Sequence, residues 1–205
     1  MKRVFSFAAG MLLALLIVAG SVAVPALQPD RFEKAVLNTV KPEAVGMSES
    51  DLAAFALETM AYLRGEKADW QPVTPFAIPQ SFVVHMAEVR GWVDVLKWAL
   101  PAGVMIALLC LWLGRNVRMV RAGMLSVLGL MAALLLWAAV DFESLWMVIH
   151  RVLIPGGIFP AGEPVMQLFP LNLFFGYIPA VLCWMAGWLA VLYAGIKLLI
   201  NKYAA

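Results

Sequence analysis

Long uncharged apolar runs dominate this chain: Val4 to Leu27, Ala122 to Val140 and Pro164 to Ile196 contain no Asp, Glu, Lys or Arg. A helix rises 1.5 Å per residue, so roughly 17–25 apolar residues cross a hydrocarbon core about 30 Å thick. Each run is long enough. A fourth, Trp98 to Gly114, is short. It reaches spanning length when started near Trp92, which takes in Asp94 and Lys97, one helical turn apart and able to pair at the interface. The 205 residues are 63% hydrophobic and 14% charged, so water is not the main solvent of this chain. The expected fold is all-α and integral to the membrane: a single membrane domain, 1–205, with transmembrane helices at 4–26, 91–113, 122–140 and 177–197. A small extracytoplasmic helical segment at 27–84 joins the first two helices, and an outer loop at 141–176 joins the last two.

Charge placement orients these spans, because Lys and Arg concentrate in short cytoplasmic segments. Lys2, Arg3, Arg115, Arg118, Arg121, Lys197 and Lys202 fall on one side with no acidic residue among them, while all thirteen Asp and Glu fall on the other. Both chain ends are therefore expected in the cytoplasm. The net charge of +2 reflects this asymmetry. No basic, aromatic-interleaved surface suits nucleic acid. The first run also admits a reading as a cleaved signal peptide, with Lys2 and Arg3 before it and Val24-Pro25-Ala26 as a small-residue cleavage site. Its length exceeds an h-region of roughly 7–15 residues, which favours an uncleaved anchor. Cys110 and Cys183 are expected near opposite ends of their helices, as packing residues rather than a disulfide.

Between Pro25 and Ser81 the chain turns polar, and six prolines break it into short pieces. One helix stands out. Ser48 or Ser50 can cap it, Asp51 supplies a capping-box carboxylate, and Leu52, Phe55, Ala56, Met60 and Leu63 recur at helical spacing before Gly65 stops it. A shorter helix is expected around Phe32 to Val40. With no cysteine in this segment, its fold is expected to rest on packing against the helix bundle. From Ser81, the residues Phe82, His85, Val89, Trp92 and Leu96 share a helix face, so His85 enters the second span at its outer rim. Pro101 is expected to kink that span. Pro155, Gly156, Gly157 and Pro160 force an irregular path on the last outer connection.

The chain has two histidines, His85 and His150, and the expected topology puts both at the outer membrane surface. Histidine titrates near neutral pH and is suited to proton transfer or metal ligation. The bland reading of each is an interfacial residue with ordinary hydrogen bonds. Candidate helpers stand nearby: Glu88 and Arg90 after His85, Asp141 and Glu143 before His150, and Arg151 next to it. If 141–151 is helical, Glu143 and His150 share a face. There is no H-E-x-x-H, no G-x-S-x-G, no phosphate-cradling Gly-rich loop and no C-x-x-C. A protein nucleophile and a tightly held metal are thus weakly supported. Two alternatives are a bis-histidine haem electron carrier with His85 and His150 as axial ligands, and a non-catalytic assembly or accessory subunit.

An ordered set of residues resembles one family. Met47-Ser48-x-x-Asp51-Leu52 with Tyr62-Leu63, then His85-Met86-x-Glu88-Val89-Arg90, then Asp141-Phe142-Glu143-x-Leu145 with His150, then Phe169-Pro170 and Phe174-Phe175, is similar to the lipoprotein intramolecular transacylase family of bacterial four-helix membrane proteins. The pattern departs at Glu88, where the family favours Asp, at Trp146, where it favours Phe, and at Arg151 to Gly157, where it is aromatic-rich. The last departure bears on the substrate pocket. The resemblance implies transfer of the sn-2 acyl chain of a diacylated bacterial lipoprotein to the α-amino group of its own N-terminal cysteine, giving the lyso-form. It implies a multi-pass protein of the bacterial plasma membrane, in contact with membrane lipid, with no cofactor and no metal and with the active site on the outer face. Donor ester and acceptor amine then belong to one molecule, and orientation alone can supply roughly 7–11 kcal/mol of a barrier. His150 is expected as base for the amine, which titrates at about 7.7–8.0, with the reverse assignment of the two histidines left open. His85 is expected to polarise the carbonyl or return a proton to the departing oxygen, and Arg90 or Arg151 to steady the oxyanion.

Overall fold

In the computed structural model the described residues are 1–154, 157, 159–160 and 162–203, with side-chain surroundings described as far as residue 194. Pro155 and Gly156 of the expected irregular turn lie outside them, as do the side chains of Lys197 and Lys202. Among the described residues there are helices and no strands. Four long helices form a bundle: α1 (Lys2–Ala26), α5 (Gln80–Gly114), α6 (Val117–Val140) and α10 (Ile178–Tyr203). Six shorter ones lie between them: α2 (Pro29–Thr39), α3 (Pro42–Val45), α4 (Glu49–Leu63), α7 (Phe142–Leu153), α8 (Pro164–Leu168) and α9 (Leu171–Phe175). Three helices, α1, α5 and α6, are long and apolar enough to cross a membrane on their own. Counting Pro164–Phe175 and Ile178–Ala194, which meet at 44°, as one bent span brings the number to four.

The helix α1 packs against α5, α6 and α10. Ser6, Gly10 and Ala14 recur every fourth residue along it, and all three are buried. The spacing lets backbones approach closely, as small residues do between membrane helices. A Cβ on Gly10 would collide with the Val120 carbonyl of α6, and one on Gly123 would collide with the Phe7 carbonyl of α1. The end of the bundle that holds the N-terminus of α1 is tied by the Asn116 N–H, which donates to Ser6 Oγ at 3.0 Å. A helix so placed is the bundle's packing centre.

At 35 residues α5 is about 52 Å long, some 20 Å more than a bilayer core requires. A span at the expected 91–113 leaves the first turns of α5, Gln80 to Arg90, outside. The helix runs unbroken through Pro101. Lys97 and Asp94 pair at 2.7 Å, and Lys97 Nζ also donates to the Arg64 carbonyl at 3.1 Å, fastening α5 to the end of α4.

Outside the bundle sits a cap with its own core. Ser48 caps α4, and the reciprocal bonds of the capping box to Asp51 are both present. Gly65 follows α4 with φ +82°, a left-handed turn that glycine enters without steric cost. Leu52, Phe55, Ala56 and Met60 of α4 pack with Phe32 and Val36 of α2, with Trp70, with Phe82 and Met86 of α5, and with Val165, Leu168 and Leu173 of α8 and α9. Trp70 Nε1–H donates to Thr59 Oγ1 at 3.1 Å, so the buried indole is satisfied. Two expectations are extended here and one, that Cys183 is a packing residue, is corrected. The polar segment packs on the N-terminal end of the bundle helix α5 and also on the 159–177 region, which the expectation of packing on the bundle alone did not include. The connection after α6 also holds three short helices, α7 before the 155–160 stretch and α8 and α9 after it, and Ile154, Gly157, Phe159 and Pro160 between them are not helical. Cys183 is exposed, so it is not a packing residue, while Cys110 is half-buried; both are free thiols.

Candidate active site

The two histidines arrive from different helices. His85 lies on α5 one turn after Phe82, whose ring belongs to the cap core, so burial of Phe82 draws His85 to the cap's underside. His150 lies in the last turn of α7. The imidazole centroids are 6.0 Å apart with planes inclined by 33°.

His150 Nδ1 is 3.0 Å from the Trp146 carbonyl, one turn back on the same helix. A carbonyl only accepts, so Nδ1 carries the hydrogen, and in the neutral ring Nε2 is then the nitrogen with the lone pair. This tautomer is the one a general base requires. The ring is held from the side by Trp146, 4.4 Å away between centroids. Trp146 in turn packs on Phe174 at 4.5 Å, and Phe142 packs on Phe175 at 4.3 Å.

His85 is enclosed on more sides. Its ring is buried, with Phe82 and Phe159 at 5.6 and 5.5 Å between centroids. Gly157 lies so close that a Cβ there would sit 2.5 Å from both Cε1 and Nδ1. Nδ1 is enclosed and has no hydrogen-bond partner among the described residues. Burial, with a smaller contribution from the neighbouring His150, pulls the His85 pKa down to about 4, so the ring is neutral at pH 7.

The charged candidates fare differently. Asp141 is the N-cap of α7, accepting from Ser144 N–H at 3.0 Å, and is spent on starting that helix. Glu143 shares a face with His150 but stands about 10 Å away along the axis, too far to orient the ring. Glu88 is exposed and makes no hydrogen bond or ion pair among the described residues. Arg90 donates to the carbonyls of Lys67 and Ala68 at 2.8 and 2.9 Å, lies 3.8 Å from Asp94 and stacks over the Tyr62 ring. Its guanidinium is a clamp on the turn after α4. Arg151 is exposed beside His150. The structure thus brings the two histidines together and leaves the carboxylates apart; the group that orients His150 is a main-chain carbonyl. Residue type carries no trace of that role. Gly157 and Phe159 were equally hidden, since their contact with His85 spans more than seventy positions.

The family model for the lipoprotein intramolecular transacylase Lit matches residues 7–175. Among solved structures, the fold is shared with the membrane-integral lipoprotein intramolecular transacylase Lit of Bacillus cereus. The identity is 18% and the TM-score 0.75, over 100% of this chain and 98% of that one. Variants of that protein with a histidine replaced by arginine or by alanine align at TM-scores of 0.73 and 0.72. The identity is 19% for each, over all of this chain and 94% and 96% of theirs. Curated proteins gave no match.

Proposed function

Because this chain belongs to the lipoprotein intramolecular transacylase family, whose members are membrane-integral acyl-transfer enzymes, we propose that it moves the sn-2 acyl chain of a diacylglyceryl-cysteine lipoprotein onto that cysteine's own α-amino group. That membership supports this reading over the haem-carrier and accessory-subunit alternatives. The single observation behind the mechanism is the imidazole pair, 6.0 Å apart, with Nδ1–H of His150 committed to a carbonyl.

The α-amine attacks the ester carbonyl. A nitrogen–carbon bond forms, and the proton leaving nitrogen passes to His150 Nε2. Neutral His85 donates an N–H hydrogen bond to the carbonyl oxygen as it becomes negative. A neutral imidazole is suited to this, because it polarises an oxygen without first having to be charged in a dry site. One donor so placed contributes about 2.7–4 kcal/mol. The bond to the sn-2 glyceryl oxygen then breaks and that oxygen takes up the proton held by His150. Ester and amine become amide and alcohol, with no water consumed and no net proton change. Arg151, next to His150, is the cation open to the oxyanion, since Arg90 is engaged elsewhere.

In this reading both chain ends are cytoplasmic, the spans cross near 4–26, 91–113, 122–140 and 177–197, and the site faces the outer leaflet of a bacterial plasma membrane. Both lipid-linked groups of the substrate then reach the histidines from the interface. The test is mass spectrometry of the N-terminal peptide of a lipoprotein co-expressed with His150→Gln or His85→Gln. Removing a positioned base lowers transfer by roughly 10²–10⁴-fold. Unchanged N-acyl product from either variant removes that histidine from the mechanism.

A further inference from the structure

The half of α7 that carries His150 is held by very little. Leu145 is its one buried residue, and Phe142 and Trp146, which pack on Phe175 and Phe174, also lie in its first half or at its middle. Val148, Ile149, Val152 and Leu153 are exposed. Beyond His150 the helix ends at Leu153, whose carbonyl has no partner within the helix, as is general for the last turn. That carbonyl is met from another helix: Trp92 Nε1–H of α5 donates to it at 3.0 Å. Among the described residues this is the one hydrogen bond between the helix of His85 and the helix of His150.

The register of the bond matters. Trp92 follows His85 by seven residues and shares its face of α5, while Leu153 follows His150 by three. Helical side chains lean toward the N-terminus, so the Trp92 indole reaches back toward His85 and lands on the last turn of α7. The contact thereby bears on the spacing of the two rings.

We infer that Trp92 is a positioning residue for the transfer, its indole N–H holding the C-terminal end of α7, and with it His150, at working distance from His85. This inference rests on the two-histidine chemistry proposed above. An alternative use of Trp92 is as an interfacial anchor, a place where tryptophan is common because its ring is apolar and its N–H polar. The two roles separate in Trp92→Phe, which keeps an aromatic ring at the interface and removes the donor alone.

The experiment uses the full chain in lipid nanodiscs. Spin labels at Val84→Cys and Val152→Cys, both exposed positions, report the distance between α5 and α7 in a background lacking Cys110 and Cys183. Transfer is followed on a diacylated lipopeptide. With Trp92→Phe the label distance broadens, kcat falls by about tenfold to a hundredfold because a misplacement near 1 Å is enough, and KM is unchanged. Added to His150→Gln, the same substitution lowers transfer no further. An unchanged distance distribution overturns the tether, as does a loss that adds fully to that of His150→Gln. A broadened distance together with undiminished transfer in His150→Gln supports the tether and overturns the two-histidine chemistry it was to serve.

Discussion

The cap and the bundle of this protein are made of similar apolar side chains and use them in opposite ways. In the cap, Phe55 is 2% exposed and touches Trp70 and Phe169 edge-on, and the side chains around it form one dry aromatic core. In the bundle the large residues point outward: Trp98 is 79% exposed, Leu136 68% and Trp112 64%. What the bundle buries is small, namely Ser6, Ala9, Gly10 and Ala14 of α1. Water drives large apolar groups together, whereas lipid is as apolar as leucine and offers them no such reward. Helices in lipid gain by close backbone contact instead. The histidines sit where the two regimes meet. His85 rides on α5, which takes part in both, and His150 on α7, which is fixed firmly to neither.

This contrast is most sharply broken by changes that harm one region alone. Phe55→Ala opens a cavity in the cap and costs about 3–5 kcal/mol there. Hydrogen exchange of α2 and α4 amides rises while α6 stays protected; equal loss of protection in both would show that cap and bundle unfold as one unit. In the bundle, Gly10→Val places a side chain against the Val120 carbonyl, which has nowhere to retreat. It destabilises by about 1–3 kcal/mol, the usual range for overpacking. Thermal unfolding in detergent reads the loss, and an unchanged midpoint would refute the close α1–α6 contact.

Acid acts on the boundary. His85 has its folded pKa, about 4, below its ordinary value of 6.5. The unfolded chain therefore binds more protons between those values, and stability falls as pH drops through this window. His85→Gln flattens the dependence when midpoints are measured from pH 7 to pH 4; an equally steep slope in the variant would assign it to other groups. The smallest effect is expected from Asp94→Asn, which removes half of the exposed pair with Lys97. Such pairs are worth about 0–1 kcal/mol and weaken with salt.

Local signals read well here because each is a short-range rule. Ser48 and Asp51 announce the start of α4, Gly65 announces its end, and Asp94 and Lys97 find each other one turn apart. The Ser6, Gly10 and Ala14 series was visible but silent, since an apolar helix surrounded by lipid shows no polar face to contrast with a packed one. The helical nature of 142–153 is only conditional in the sequence, although Asp141 stands ready as its cap. For the site, the two histidines were legible by type and topology. Their neighbours were not: the carboxylates chosen as helpers stand in sequence near the histidines and in space apart from them.

The chain by itself determines its solvent and its elements, because the length of an apolar run and the chemistry of a cap act over a few residues and need no partner. Only the tertiary structure decides that the segment after α1 shares its core with residues more than a hundred positions later, that a Trp146 carbonyl selects the tautomer of His150, and that Gly157 leaves room for His85. The first and last are contacts between distant parts of the chain, the second needs the ring's direction on its helix, and burial and direction in space belong to the folded arrangement, not to any one residue's identity.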